Sequence, residues 1–92
     1  MAKHINNAKF VVTLESNKNT HKLKTISIFD NRVNRDRTED VHKDKPALKS
    51  FGDLADMKES LNWCLYCDDT KYRVKFGQGN KETQLVYAYL FD

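Results

Sequence analysis

The stretch Glu82-Thr83-Gln84-Leu85-Val86-Tyr87-Ala88-Tyr89-Leu90-Phe91 decides how this chain is read. Successive side chains of a strand point to opposite faces. Leu85, Tyr87, Tyr89 and Phe91 therefore share one face, and Val86, Ala88 and Leu90 share the other. Both faces are apolar, so this strand either lies inside a sheet or turns its second face to a partner. Just upstream, Lys71-Tyr72-Arg73-Val74-Lys75-Phe76 alternates strictly, with Tyr72, Val74 and Phe76 on one face and three cations on the other. Gly77-Gln78-Gly79-Asn80 is a tight turn that closes the two strands into a hairpin.

A second hairpin is predicted at the other end of the chain. Lys9 to Glu15 and Lys22 to Phe29 are rich in β-branched and aromatic residues. Ser16-Asn17-Lys18-Asn19-Thr20 between them is turn chemistry, because Asn and Ser bond their own backbone. Between the hairpins, Leu54, Met57, Leu61 and Cys64 recur at helical spacing with Leu65 beside them, which predicts a helix over about 51–66. Ser50 is its expected N-cap, with Asp53 three residues on. The predicted architecture is one α+β domain over residues 1–92, an antiparallel sheet of about four strands in ββαββ order with one helix on one face.

Residues 30–49 do not fit this pattern, since only Val33 and Val41 suit a core. They read as a long charged loop, either a solvated crossover or a binding arm. Three of the chain's four arginines, Arg32, Arg35 and Arg37, fall here. Arginine binds phosphate and carboxylate bidentately, so the three are candidates for contact with a polyanion. Asp36, Glu39 and Asp40 are equally placed to pair with them locally.

Charge is sorted along the chain. Residues 1–29 are net +4 and residues 50–69 net −4, within a whole-chain charge of +3. A two-signed surface suits docking to another macromolecule better than turnover of a small molecule. Lys71, Arg73 and Lys75, with Lys22 and Lys24, form a candidate basic sheet face, and nearby tyrosines (Tyr66, Tyr72, Tyr87, Tyr89) suggest stacking of single-stranded bases. Against this, Tyr72 lies opposite the cations of its own strand, and alternating Lys is also the ordinary solvent side of a half-covered sheet. Asp53, Asp56 and Glu59 give the helix an acidic face, partly explained by the helix dipole and otherwise suited to a cationic partner.

Several classes find no footing. No Ser/His/Asp or Cys/His set, phosphate-cradling glycine loop or metal box is present, so no catalytic residue, cofactor or metal is expected. Cys64 and Cys67 match C-x-x-C, but they sit at the helix C-terminal end, where the dipole raises rather than lowers a thiol pKa, and His4, His21 and His42 lack paired spacing. They read as structural. The N-terminus lacks a signal h-region, and the longest apolar run, Leu85 to Phe91, is too short for a bilayer. A cytoplasmic chain is expected, complete as a small gene product. With 39% apolar residues over 92 positions, one thin core is available and no deep cleft.

As a whole the chain resembles the small phage-encoded anti-CRISPR proteins, in particular inhibitors of the type I-F surveillance complex. The resemblance is carried by the opening Met1-Ala2-Lys3-His4-Ile5-Asn6-Asn7, the arginine-bearing segment Asp30 to Arg37, the helix Phe51 to Tyr66 and the closing Leu85 to Phe91. It implies a non-catalytic protein acting in an infected bacterial cell, docked on Cas subunits and guide RNA and blocking target DNA. Some members of that group mimic DNA and are strongly acidic, a pattern from which the +3 balance departs. The resemblance then implies a wedge between Cas subunits, with the helix acids on their basic surface and the arginine loop on the guide-RNA backbone. The other readings are a small basic module for RNA or single-stranded DNA, and a toxin–antitoxin or other regulatory partner protein.

Overall fold

The computed structural model describes residues 8–65 and 71–91. Two long hairpins form its centre. Strand β1 (Phe10–Asn17) pairs antiparallel with β2 (Leu23–Asp30), and β5 (Lys71–Phe76) pairs antiparallel with β6 (Thr83–Phe91). The hairpins join through β1 and β6, which run antiparallel from Phe10↔Leu90 to Asn17↔Thr83. The apolar closing strand is thus an interior strand, one of the two readings its two-faced pattern allows.

The turns follow from their side chains. Asn17 Oδ1 accepts the N–H groups of Asn19 and Thr20 at 2.8 and 2.9 Å. Asn80 Oδ1 does the same for Glu82 and Thr83 at 2.8 and 2.9 Å. In β2 a bulge opposite Thr13/Leu14 inserts Ile26 as an extra residue. The bulge lets Leu23 and Thr25 on one side of it, and Ile28 and Asp30 on the other, all face the core.

The predicted four-strand ββαββ order and the single helix are corrected by residues 30–51. This segment is not a loop. It carries β3 (Arg35–Asp36), helix α1 (Thr38–Asp44), a short 3-10 helix (Pro46–Lys49) and β4 (Ser50–Phe51). Among the described residues the sheet accordingly has six strands in the order β3-β2-β1-β6-β5, with β4 also on β2. The crossover covers the outer edge of β2 along its length. β4 pairs with Leu23 and Lys24, and β3 pairs with Phe29 and Asp30. Between them the Thr25 hydroxyl donates to the Leu48 carbonyl at 3.1 Å, Ile28 N–H donates to Thr38 Oγ1 at 2.7 Å, and Arg37 N–H donates to the Ile28 carbonyl at 2.7 Å. An exposed strand edge is an aggregation template, and satisfying its backbone groups removes that hazard.

Helix α2 (Leu54–Leu65) starts three residues later than predicted. Its cap is Asp53, whose Oδ1 accepts the Asp56 N–H at 2.8 Å, while Asp56 Oδ2 accepts the Gly52 N–H at 3.0 Å. Ser50, the expected cap, is held in β4 instead. Met57, Leu61 and Leu65 of α2, with Val41 of α1 and Phe51 of β4, pack on Phe10, Val12, Leu14, Ile28, Val86, Ala88 and Leu90. Both helices therefore lie on one face of the sheet. No described helix is long and apolar enough to cross a membrane.

Candidate functional site

The other face of the sheet carries no described helix. Its side chains follow from the registers. One row across the sheet reads Asp36, Phe29, Val11, Tyr89, Arg73, and the next reads Ser27, Thr13, Tyr87, Lys75. Phe91 stands beside Lys71 at the end of the last two strands. Ala8, Val11 and Tyr89 are buried in a second, smaller apolar cluster, with Phe29, Tyr87 and Phe91 half-buried around it.

The expected basic stripe and the aromatic residues thus meet, though not within one strand. Tyr72, Val74 and Phe76 do point away from the cations of β5, and Tyr72 and Val74 join the main core. The aromatics beside Lys71, Arg73 and Lys75 come from β6, one strand over, because each cation is directly paired with Phe91, Tyr89 or Tyr87. Directly paired side chains on an antiparallel sheet stand about 5 Å apart. The Arg73 guanidinium lies 5.6 Å from the centre of the Phe91 ring. Lys71, Tyr72, Arg73 and Phe91 enclose a shallow cavity of about 310 Å³ at the sheet edge. Among the described residues no carboxylate forms a salt bridge with Lys71, Arg73 or Lys75. Lys22 and Lys24 do not belong to this patch: β1 and β6 separate β2 from β5, and Lys24 faces Glu15. Tyr66 lies outside the described residues.

The three arginines of residues 30–37 are engaged at home. Asp30, 2% exposed, accepts Arg32 N–H at 2.9 Å, Arg32 Nε at 3.1 Å and its Nη2 at 3.0 Å. Arg37 Nη1 stands 3.9 Å from the same carboxylate. The Arg32 guanidinium also stacks on the Phe10 ring at 4.7 Å. Burial pushes the Asp30 carboxyl up, but the Arg32 hydrogen bonds and the charges of Arg32 and Arg37 outweigh it and hold the group below its ordinary value. Arg35 Nη2 bonds Asp40 at 2.9 Å on the surface. The local acids, with Asp30 foremost, are the arginines' partners in this fold.

The acidic helix face divides in the same way. Asp53 and Asp56 are spent on the helix cap, and both remain exposed, as does Glu59. On that outward face Trp63 follows Glu59 by one turn and is 78% exposed. The sequence reading passed over it. Its signal was present, since Trp63 falls outside the Leu54, Met57, Leu61, Leu65 stripe that buries α2.

Cys64 is a half-buried free thiol whose pKa is raised by burial, then lowered in part by Lys45 and raised by Asp44, so it is a poor nucleophile. Cys67 and His4 lie outside the described residues. Among the described residues no three His, Cys, Asp or Glu side chains cluster as metal ligands. No family model matches the chain, and no curated protein or solved structure matches it.

Proposed function

We propose that this is a non-catalytic binding protein whose open sheet face holds a single strand of nucleic acid. The observation that carries the reading is the register pairing of Lys71, Arg73 and Lys75 with Phe91, Tyr89 and Tyr87. Cations along an edge strand follow a phosphate backbone, while half-buried rings one strand inward offer faces on which bases stack. Tyr89 is buried in the apolar cluster of this face, and Phe91, Tyr87 and Phe29 pack half-buried around it with surface left to solvent. A duplex keeps its bases stacked internally and gains nothing from these rings, so preference for single strands separates this reading from simple attraction to polyanions.

The test is the fluorescence anisotropy of labelled oligouridine and oligothymidine against a duplex of the same length. Saturable binding to single strands with weaker duplex binding is expected. The triple variant Lys71→Ala/Arg73→Ala/Lys75→Ala should lose at least about tenfold in affinity, and Phe91→Ala about fivefold or more, the range of one lost base stack. Equal binding of the duplex, or unaltered affinity in both variants, refutes the proposal.

A second reading is an inhibitor docked on the protein–guide-RNA surveillance complex of a type I-F CRISPR system in the bacterial cytoplasm. It is favoured by the placement of the exposed acids Asp56 and Glu59 on the sheet side opposite Lys71, Arg73 and Lys75, which suits a partner that is part protein and part RNA. In this arrangement the guide-RNA contact passes from the acid-paired arginines to the open sheet face. Copurification with the assembled complex, together with loss of target-DNA binding by that complex, is the expected result. Absence of copurification removes this reading and leaves the first intact.

A further inference from the structure

We propose that Trp63 and the carboxylates around it form a docking surface for a cationic segment of another protein, one that lays an arginine or lysine side chain on the indole. This surface is separate from the open sheet face, and it stands whether or not that face binds nucleic acid.

The indole is 78% exposed on a helix whose other large apolar residues are turned inward. Leaving so large a ring in water is costly, and tryptophan is among the residues enriched at the energetic centres of protein interfaces. Its surroundings select the partner. Glu59 precedes Trp63 by one helical turn and Asp56 by two, on the same outward face. On the other side a cleft of about 390 Å³ separates Trp63 and Cys64 from α1, where Asp40 and Asp44 line the opposite wall with Val41 at the floor. Two cations also border the cleft, and a third, Arg35, is paired with Asp40 at 2.9 Å. Arg37 is drawn to the Asp30 carboxylate, and Lys45 follows Asp44 at the end of α1.

Asp44, Asp56 and Glu59 therefore flank one exposed π-face, beside an Asp40 already paired with Arg35. That combination attracts a guanidinium or ammonium through the ring quadrupole and the surrounding negative potential together. It disfavours phosphate, so a nucleic acid or an anionic membrane is the poorer fit at this surface. A second copy seated here across a two-fold axis would set the same carboxylates against one another, an unfavourable self-complement. A basic protein segment is the occupant that the charges fit.

Trp63 is the sole tryptophan of the chain, so its emission reports this surface without a label. The full chain is titrated with a short arginine–glycine peptide and with a glutamate–glycine peptide of equal length, and the labelled peptides are followed in parallel by anisotropy. The arginine peptide should change Trp63 emission saturably and the glutamate peptide should not. Trp63→Ala should weaken anisotropy-detected binding by about fivefold, and Glu59→Lys by a similar factor. The triple variant of Lys71, Arg73 and Lys75 should not weaken it, which separates this surface from the sheet face. Thermal unfolding of Trp63→Ala should match the parent, since the ring is in solvent. No saturable response, an equal response to the acidic peptide, or a Trp63 signal that tracks self-association would each overturn the proposal.

Discussion

Asp30 is where the charge pattern of the crossover becomes structure. A carboxylate this buried is stable only when its lone pairs are met, and Arg32 supplies three hydrogen bonds to it while Arg37 approaches from the position just before α1. Asp30→Asn keeps the shape and removes the charge, leaving two guanidiniums facing an amide. Urea denaturation should show a loss of about 1–3 kcal/mol. The pH dependence has a definite sign. Because the folded-state value lies below the ordinary 3.8, the carboxylate's contribution is present above that pH and is lost as pH falls through the folded value. The Asn variant should lack this loss. His42 titrates in a separate window. It is buried on α1 with no partner for Nε2, and burial first, then Lys49, hold its pKa below 6.5 against the opposing pull of Glu39. The unfolded chain therefore takes up the proton first, and stability declines as pH falls from 6.5 toward the folded value. His42→Leu should flatten that limb of the stability–pH curve and leave stability at pH 8 equal or higher. A parent curve flat between pH 7 and 5 would show that His42 is not buried in the uncharged form.

Among the elements, the β5–β6 hairpin has the least margin, because among the described strands β5 is an edge paired only with β6, with Tyr72 and Val74 as its contacts to the core. Its turn depends on Gly79. A Cβ there would run into the Thr83 carbonyl and the Gln84 Cα, both of them backbone, so nothing flexible can yield. Gly79→Ala should cost about 1–3 kcal/mol. In hydrogen exchange the amides of β5 should lose protection before those of β1 and β2. The long strands and α2 were legible in the sequence because each is long enough to show its period, as Lys71–Phe76 and the Met57, Leu61, Leu65 stripe do. The elements of residues 30–51 were not. β3 and β4 span two residues each, too few to alternate, and α1 buries only Val41 and His42, too few to mark a face. These elements exist because β2 supplies them with hydrogen-bond partners and the core with a surface, and tertiary packing of this kind overrides weak local propensity. The start of α2 was misread for a related reason: Ser50 is a good cap in isolation, but the pairing of β4 with Lys24 claims it and passes the role to Asp53.

For the molecule as a whole, the consequence of strand order is that charges sorted along the chain become charges sorted across the sheet. The alternation of β5 is visible in the sequence, and so is that of β6. Their juxtaposition on one face is not, since it depends on which strand lies beside which and in what register. Counting Tyr72 against Lys71 and Arg73 within one strand therefore hid the aromatic neighbours that β6 brings. This arrangement makes a prediction that bulk charge does not. If single strands are bound by three phosphate contacts from β5, the logarithm of affinity should fall with the logarithm of salt concentration at a slope of about −2, from roughly −0.7 per phosphate on a single strand. Lys71→Ala/Arg73→Ala/Lys75→Ala should bring that slope close to zero. Asp56→Asn/Glu59→Gln, on the opposite side of the sheet, raises the net charge by two and should leave the slope where it was. Were attraction to the whole +3 molecule the cause, the first variant would weaken binding and the second would strengthen it in proportion to the charge changed. Opposite shifts in about a three-to-two ratio would therefore assign the interaction to net charge, and a shift in the first alone assigns it to the face that Lys71, Arg73 and Lys75 share with Tyr87, Tyr89 and Phe91.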